Sequence, residues 1–181
     1  MIYFITGGAK NGKSGMAQDL AVAMARSGKH YYIATMIPAD QEDHDRIRRH
    51  IEDREGLGFE TVECGRNILS ILPKVDRDAA FLLDSATALL LNELFPDPST
   101  GEMDIPAAEA CALDLVTFAK SVKNLVIVSD YIYSDAARYD EATEVYRKCL
   151  ADIDRGLAEV SDTVLEVSGG NVYVHKGDLL I

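Results

Sequence analysis

Positive charge is scarce in this chain: 18 lysines and arginines stand against 30 aspartates and glutamates in 181 residues, a formal net charge of -12. A nucleic-acid partner requires a basic face, so this balance argues against one, and equally against an anionic membrane surface. Cysteine is sparse as well. Cys64, Cys111 and Cys149 form no CxxC pair and are odd in number, so neither a disulfide framework nor a zinc site is expected, and a reducing cytoplasm fits. No apolar run approaches the length of a bilayer span. The apolar start lacks a basic lead-in and passes at once into glycines, so it reads as a strand and not as a signal peptide. Repeats and low-complexity tracts are missing too. What remains is of ordinary globular composition, 48% hydrophobic and 27% charged. A single domain over residues 1–181 with a substantial core is expected.

The most informative segment is Gly7-Gly8-Ala9-Lys10-Asn11-Gly12-Lys13-Ser14, which has the spacing of a phosphate-binding loop. Its glycines let backbone N–H groups approach a polyphosphate. Lys13 brings a positive charge to the β- and γ-phosphates, and the Ser14 hydroxyl suits Mg²⁺. The flanks agree with this reading. Ile2-Tyr3-Phe4-Ile5-Thr6 is a buried parallel strand by composition. Met16, Leu20, Ala23 and Met24 then recur at helical spacing, with Gly28 as the expected stop. Strand, loop and helix follow in the order that aims a helix N-terminus at phosphates. A nucleoside triphosphate is the expected ligand.

Further strands are expected at His30–Thr35, Ala80–Asp84, Leu125–Ser129, Thr163–Val167 and Asn171–His175, the last two joined by Gly169-Gly170 as a hairpin. Helical patterns lie around 41–54, 86–95, 106–122 and 139–160. The alternation implies an α/β fold of the P-loop NTPase type, a mostly parallel sheet flanked by helices with a C-terminal β-hairpin. Ligands of such sheets sit beyond the carboxyl ends of the strands, where Asp84 and Asp130 fall. Either could organise a metal near the loop hydroxyl, and either could be a helix cap or turn acid. Glu63 ends a shorter strand-like piece, Thr61-Val62-Glu63.

Residues 41–55 form a polar helical stretch in which Arg46, His50 and Arg54 recur every four residues and share a face. Flanking guanidinium groups would disfavour a protonated imidazole and leave a ring nitrogen free to attack phosphorus. The same spacing also suits a solvated helix laced with pairs such as Glu42–Arg46 and Arg49–Asp53. Spacing alone favours the solvated helix, with His50 exposed on it. Tyr131, Tyr133 and Tyr139 read as packing residues.

Together these pieces resemble the adenosylcobinamide kinase/adenosylcobinamide-phosphate guanylyltransferase family of cobalamin biosynthesis. Ile5 to Ser14 is similar to that family's Thr-Gly-Gly-(Ala/Ser)-Arg-Ser-Gly-Lys-Ser loop. Tyr32-Ile33-Ala34-Thr35 resembles its second strand. Arg46-Ile47, His50 and Arg54 match its Arg-Ile-x-x-His-x-x-x-Arg helix, and Thr61-Val62-Glu63 the strand after it. Leu82-Leu83-Asp84, with Thr87 and Asn92 downstream, resembles a Leu-Leu-Asp-Cys-Leu-Thr stretch in which Ser85 replaces the Cys. The resemblance implies that His50 carries GMP as a histidine–nucleotide intermediate. It implies nucleotide contacts at Gly7, Gly8, Ala9, Lys10, Asn11, Gly12, Lys13, Ser14, Thr35, Ile51, Glu52, Asp53, Arg54, Glu63 and Asp84, with Mg²⁺ at Ser14 and Asp84. GTP or ATP would be substrates. The kinase step would phosphorylate the aminopropanol arm of adenosylcobinamide, and the second step would join GMP to that phosphate with release of pyrophosphate. A trimer is implied as well.

The second half departs from the family. Asp130-Tyr131-Ile132-Tyr133 stands where an Asn-Glu-Val-Gly run is common, and the region of Tyr146 to Gly156 keeps little of an Arg-x-Phe-Arg-Asp…Gly…Asn-Gln helix. A different small-molecule P-loop kinase, or a GTP-binding paralogue without corrinoid activity, is the alternative.

Overall fold

The computed structural model describes residues 1–133 and 136–179. Its strands are β1 (Ile2–Gly7), β2 (His30–Ala34), β3 (Glu60–Glu63), β4 (Ala80–Asp84), β5 (Asn124–Val128), β6 (Thr163–Ser168) and β7 (Asn171–Lys176). They form one sheet in the order β3-β2-β4-β5-β1-β6-β7. All neighbours are parallel except β7, which runs antiparallel to β6. The helices are α1 (Lys13–Ala25), α2 (Gln41–Asp53), α3 (Ala86–Leu94), α4 (Ile105–Ser121) and α5 (Glu141–Val160), with a 3-10 turn at Ile68–Ile71. The expected α/β architecture and hairpin are present.

Alternation along the strands sorts two cores. Tyr3, Ile5, Tyr32, Leu82, Val126 and Val128 pack on Ala17, Leu20 and Ala21 of α1. On the other face Phe4, Ile33, Phe81, Leu83, Leu125 and Ile127 meet Leu89 and Leu90 of α3, Phe118 of α4 and Ile153 of α5. With both faces covered, central strands become continuous apolar runs, which is why they are legible. Each such side chain withdrawn from water contributes about 1.5–3 kcal/mol.

Several boundaries differ from expectation for local reasons. β2 stops at Ala34 because the Thr35 hydroxyl turns to the backbone of Ser85, donating to its carbonyl at 2.9 Å and accepting from its N–H at 2.7 Å. α1 ends at Ala25, three residues before Gly28, because Arg26 itself takes a positive φ (57°) and leaves the helical path. α5 begins at Glu141 because Asp140 caps it, its side chain accepting from the Thr143 N–H at 2.8 Å. In the hairpin Gly169 and Gly170 both have positive φ, as a two-residue type I′ turn requires.

Gly7 closes β1 with φ 152°, and a Cβ there would lie 2.3 Å from the Val167 carbonyl oxygen. Gly7→Ala is therefore expected to lower the stability of the chain by about 2–3 kcal/mol in urea unfolding. Gly15→Ala meets nothing within 4 Å. It should hold or gain stability, since alanine favours a helix over glycine.

Candidate active site

The sheet brings the ends of β1, β2, β4 and β5 to one edge, and the candidate residues collect there. Helices α2, α3, α4 and α5 each begin with a side chain that caps their free amides. α1 does not: Gly12 precedes it with φ 87° and no side-chain cap. Its first N–H groups are left for an external acceptor, and anions suit the positive end of the helix. Lys10, also at positive φ (61°), helps turn the loop. Lys13 is 5% exposed, and its ammonium donates to the Gly8 carbonyl and to Asp130 Oδ1, both at 2.6 Å. An ammonium has three donors, so one is left to meet a phosphate oxygen.

Asp84 ends β4, with β5 between it and the loop strand. One of its oxygens accepts from the Tyr32 hydroxyl at 3.1 Å. Burial, reinforced by Asp84, pushes the Tyr32 hydroxyl far above its ordinary range, so it remains a donor. Asn92 donates to the carbonyls of Thr35 (2.7 Å) and Gly65 (2.8 Å), tying the ends of β2 and β3 to α3. The Thr87 hydroxyl accepts from the Asp130 N–H at 2.8 Å. The two downstream polar residues of the Leu-Leu-Asp stretch are thus struts under the strand ends.

A cleft of about 500 Å³ lies over the loop. Ala9 to Gly15 form one wall; Asp84, Ser85 and Asp130 form the floor; Glu42, Arg46, Arg49, His50 and Asp53 of α2 form the other wall. His50 therefore faces the loop. Its Nδ1 is buried and has no hydrogen-bond partner. The pairs Glu42–Arg46 and Arg49–Asp53 do not appear among the ion pairs of the described residues, which on this helix run through Arg48 to Asp45 (3.0 Å) and Glu52 (3.9 Å). No residue of α2 is buried.

Arg54 does not share this wall with Arg46. It follows the helix, donates to the His50 carbonyl at 2.7 Å, and lays its guanidinium 4.2 Å from the centre of the Tyr32 ring. There it lines a second cleft, of about 1140 Å³, together with Ile51, Glu52, Phe59 and Glu63. The expected residues thus divide. The loop from Ala9 to Ser14, His50, Asp53 and Asp84 gather in the first cleft; Ile51, Glu52, Arg54 and Glu63 gather in the second. Thr35 is fully buried and lines neither cleft, its hydroxyl held by Ser85. Gly7, at the end of β1, and Gly8 open the loop and line neither cleft, Gly8 serving through its carbonyl.

Sequence reasoning missed Arg49 and Glu42 as cleft residues, Tyr32 as the partner of Asp84, and the Lys13–Asp130 pair. Arg49 and Glu42 were legible in principle, since they share the helical face of Arg46 and His50 once that face is known to meet the loop.

An uncapped helix behind a glycine loop, with a lysine and strand-end acids beside it, defines a P-loop nucleotide-binding fold. Solved structures agree. The chain superposes on a solved ATPase domain (TM-score 0.54, 11% identity, 97% of this chain and 76% of that one). It also superposes on a KaiC-like protein from Pyrococcus horikoshii OT3 (TM-score 0.54, 15% identity, 97% and 78%). Within that class, residues 3–174 match the model of the cobinamide kinase/cobinamide phosphate guanyltransferase family, and the chain belongs to it. The bifunctional adenosylcobalamin biosynthesis protein CobU of Salmonella typhimurium is 27% identical over 186 residues, spanning 96% of this chain and 99% of that protein. The chain is thus an enzyme of a family with kinase and nucleotidyltransferase activities. Among the described residues, no helix is long and apolar enough to cross a membrane.

Proposed function

We propose that this enzyme phosphorylates adenosylcobinamide and then transfers GMP from GTP to the resulting phosphate through a covalent intermediate on His50. The observation that supports this reading is the placement of His50 across a single cleft from the phosphate loop, with one ring nitrogen unpartnered. A neutral ring nitrogen attacks the α-phosphorus. The bond from that phosphorus to the bridging oxygen breaks, and pyrophosphate leaves with the electron pair. The phosphate oxygen of the acceptor then attacks the same phosphorus, breaks the N–P bond and regenerates the imidazole. Arg46 and Arg49 stand on the same wall to meet charge developing on the phosphoryl oxygens. The second cleft carries Ile51, Glu52, Arg54 and Glu63 and suits the remainder of the nucleotide.

Mg²⁺ fits the residues present. The Ser14 hydroxyl and the Asp84 carboxylate are hard oxygen donors on one cleft, and this ion takes few protein ligands beside phosphates and water. Bound there, it would neutralise phosphate charge. Asp84 rather than Asp130 is its acid in this reading, because Asp130 is engaged by Lys13. Asp84→Asn is expected to raise the Mg²⁺ concentration needed for half-maximal activity about tenfold or more, and Asp130→Asn to raise it less. A larger rise for the Asp130 variant reverses the assignment.

Incubation with GTP labelled at the α-phosphate, followed by denaturation, tests the covalent step. Acid-labile label retained on the chain supports it. A plain kinase, or a chain that only binds GTP, retains none.

A further inference from the structure

The span that follows β5 is fastened at both ends to a single buried carboxylate. The Ser129 hydroxyl donates to Asp154 Oδ1 at 2.7 Å, and the Tyr133 hydroxyl donates to Asp154 Oδ2 at 2.7 Å. Asp154 lies on the inner stripe of α5 and is 5% exposed. It does not line the loop cleft. Burial pushes its carboxyl up to about 6, against the lowering effect of the Tyr133 and Ser129 hydroxyls, and nearby Asp130 adds to the rise. Burying an acid is costly, and an apolar residue on this stripe would pack without that cost.

Between the two anchors the span meets the phosphate loop twice. Asp130 Oδ1 accepts from Lys13 at 2.6 Å, and the Tyr131 N–H donates to the Gly7 carbonyl at 3.3 Å. The Asp130 carboxylate is thus set by its neighbours' attachment to Asp154 and by its own N–H on Thr87.

We propose that Asp154 is a positioning residue of the nucleotide site: by holding Ser129 and Tyr133 it fixes Asp130, and through Asp130 the ammonium of Lys13. This rests on the loop cleft being the nucleotide site. A residue that merely docks α5 on the sheet would lose stability when changed, but its effect on nucleotide affinity would not depend on Asp130.

The test is calorimetric titration of the full chain with Mg²⁺ and α,β-methylene GTP, an analogue that cannot lose pyrophosphate. Binding by the parent chain examines the nucleotide reading first; a parent that does not bind counts against both. Asp154→Ala should raise Kd about tenfold, and Asp154→Asn, which keeps an acceptor oxygen, about threefold at most. Tyr133→Phe, which removes one anchor and keeps the ring, should raise Kd about threefold. In an Asp130→Ala background, the added Asp154→Ala change should shift Kd by less than about threefold, because the link to Lys13 is already cut. Parent-like affinity in Asp154→Ala overturns the proposal, as does the same fold-change in both backgrounds. Should Asp154→Ala fold poorly, parent-like affinity in Tyr133→Phe overturns it as well.

Discussion

Lys13→Ala is expected to weaken GTP and ATP binding by about 2–4 kcal/mol, roughly 30- to 1000-fold in Kd, and to abolish transfer. The size follows from where the ammonium sits. At 5% exposure it is withdrawn from competing water, and the Gly8 carbonyl and Asp130 hold it in place before any ligand arrives. A phosphate oxygen meeting the remaining donor therefore gains a charge-assisted bond without the cost of ordering a flexible side chain. The same change strands the Asp130 carboxylate beside the loop, where it repels an incoming triphosphate. Lys13→Arg should recover little, because a planar guanidinium cannot occupy the pocket formed by Gly8 and Asp130. Titration calorimetry measures the loss, and parent-like affinity in Lys13→Ala would remove the loop from the mechanism.

That lysine was legible in the sequence, and the reason is local. Gly7, Gly12, Lys13 and Ser14 act through spacing along one stretch of backbone, and the strand before and helix after are fixed by apolar periodicity. Asp84 was legible as a strand-end acid for the same reason. Arg54 was not. Its spacing from His50 places both on one helical face, yet the helix ends at Asp53 and the guanidinium turns to the Tyr32 ring. Nothing in the helical repeat records where a helix stops relative to a neighbouring aromatic side chain. The Lys13–Asp130 pair joins positions 117 residues apart, and such a contact depends on sheet order, not on a motif. The division of the family-matched residues between two clefts has the same origin. Three residues on from His50 the helix returns Asp53 to the loop cleft, while Ile51 and Glu52 on another face, and Arg54 just beyond the helix, line the second cleft. The departure of residues 130–133 from the family run likewise becomes intelligible only in three dimensions, where that span reaches Lys13, Gly7 and α5.

His50→Asn is expected to bind GTP almost as the parent does and to form no covalent adduct. Asparagine keeps a polar group of similar reach on α2, so the wall of the cleft, with Arg46 and Arg49, survives the change. It carries no nitrogen lone pair able to attack phosphorus, because the amide nitrogen is conjugated with its carbonyl. The prediction thus separates binding from chemistry: Kd should move less than about threefold, while label from the α-phosphate should fall to background. Such a nucleophile must also come within about 3–3.5 Å of the reacting atom. α2 is suited to that approach, since no residue along it is buried and its loss of sheet contact in a swing would expose little apolar surface. His175→Asn is the matched control. Its ring lies on β7, paired with Glu166 at 2.8 Å, and it should label like the parent. Full labelling of the His50 variant would instead remove the histidine from the chemistry and leave a small-molecule kinase as the better account of the cleft.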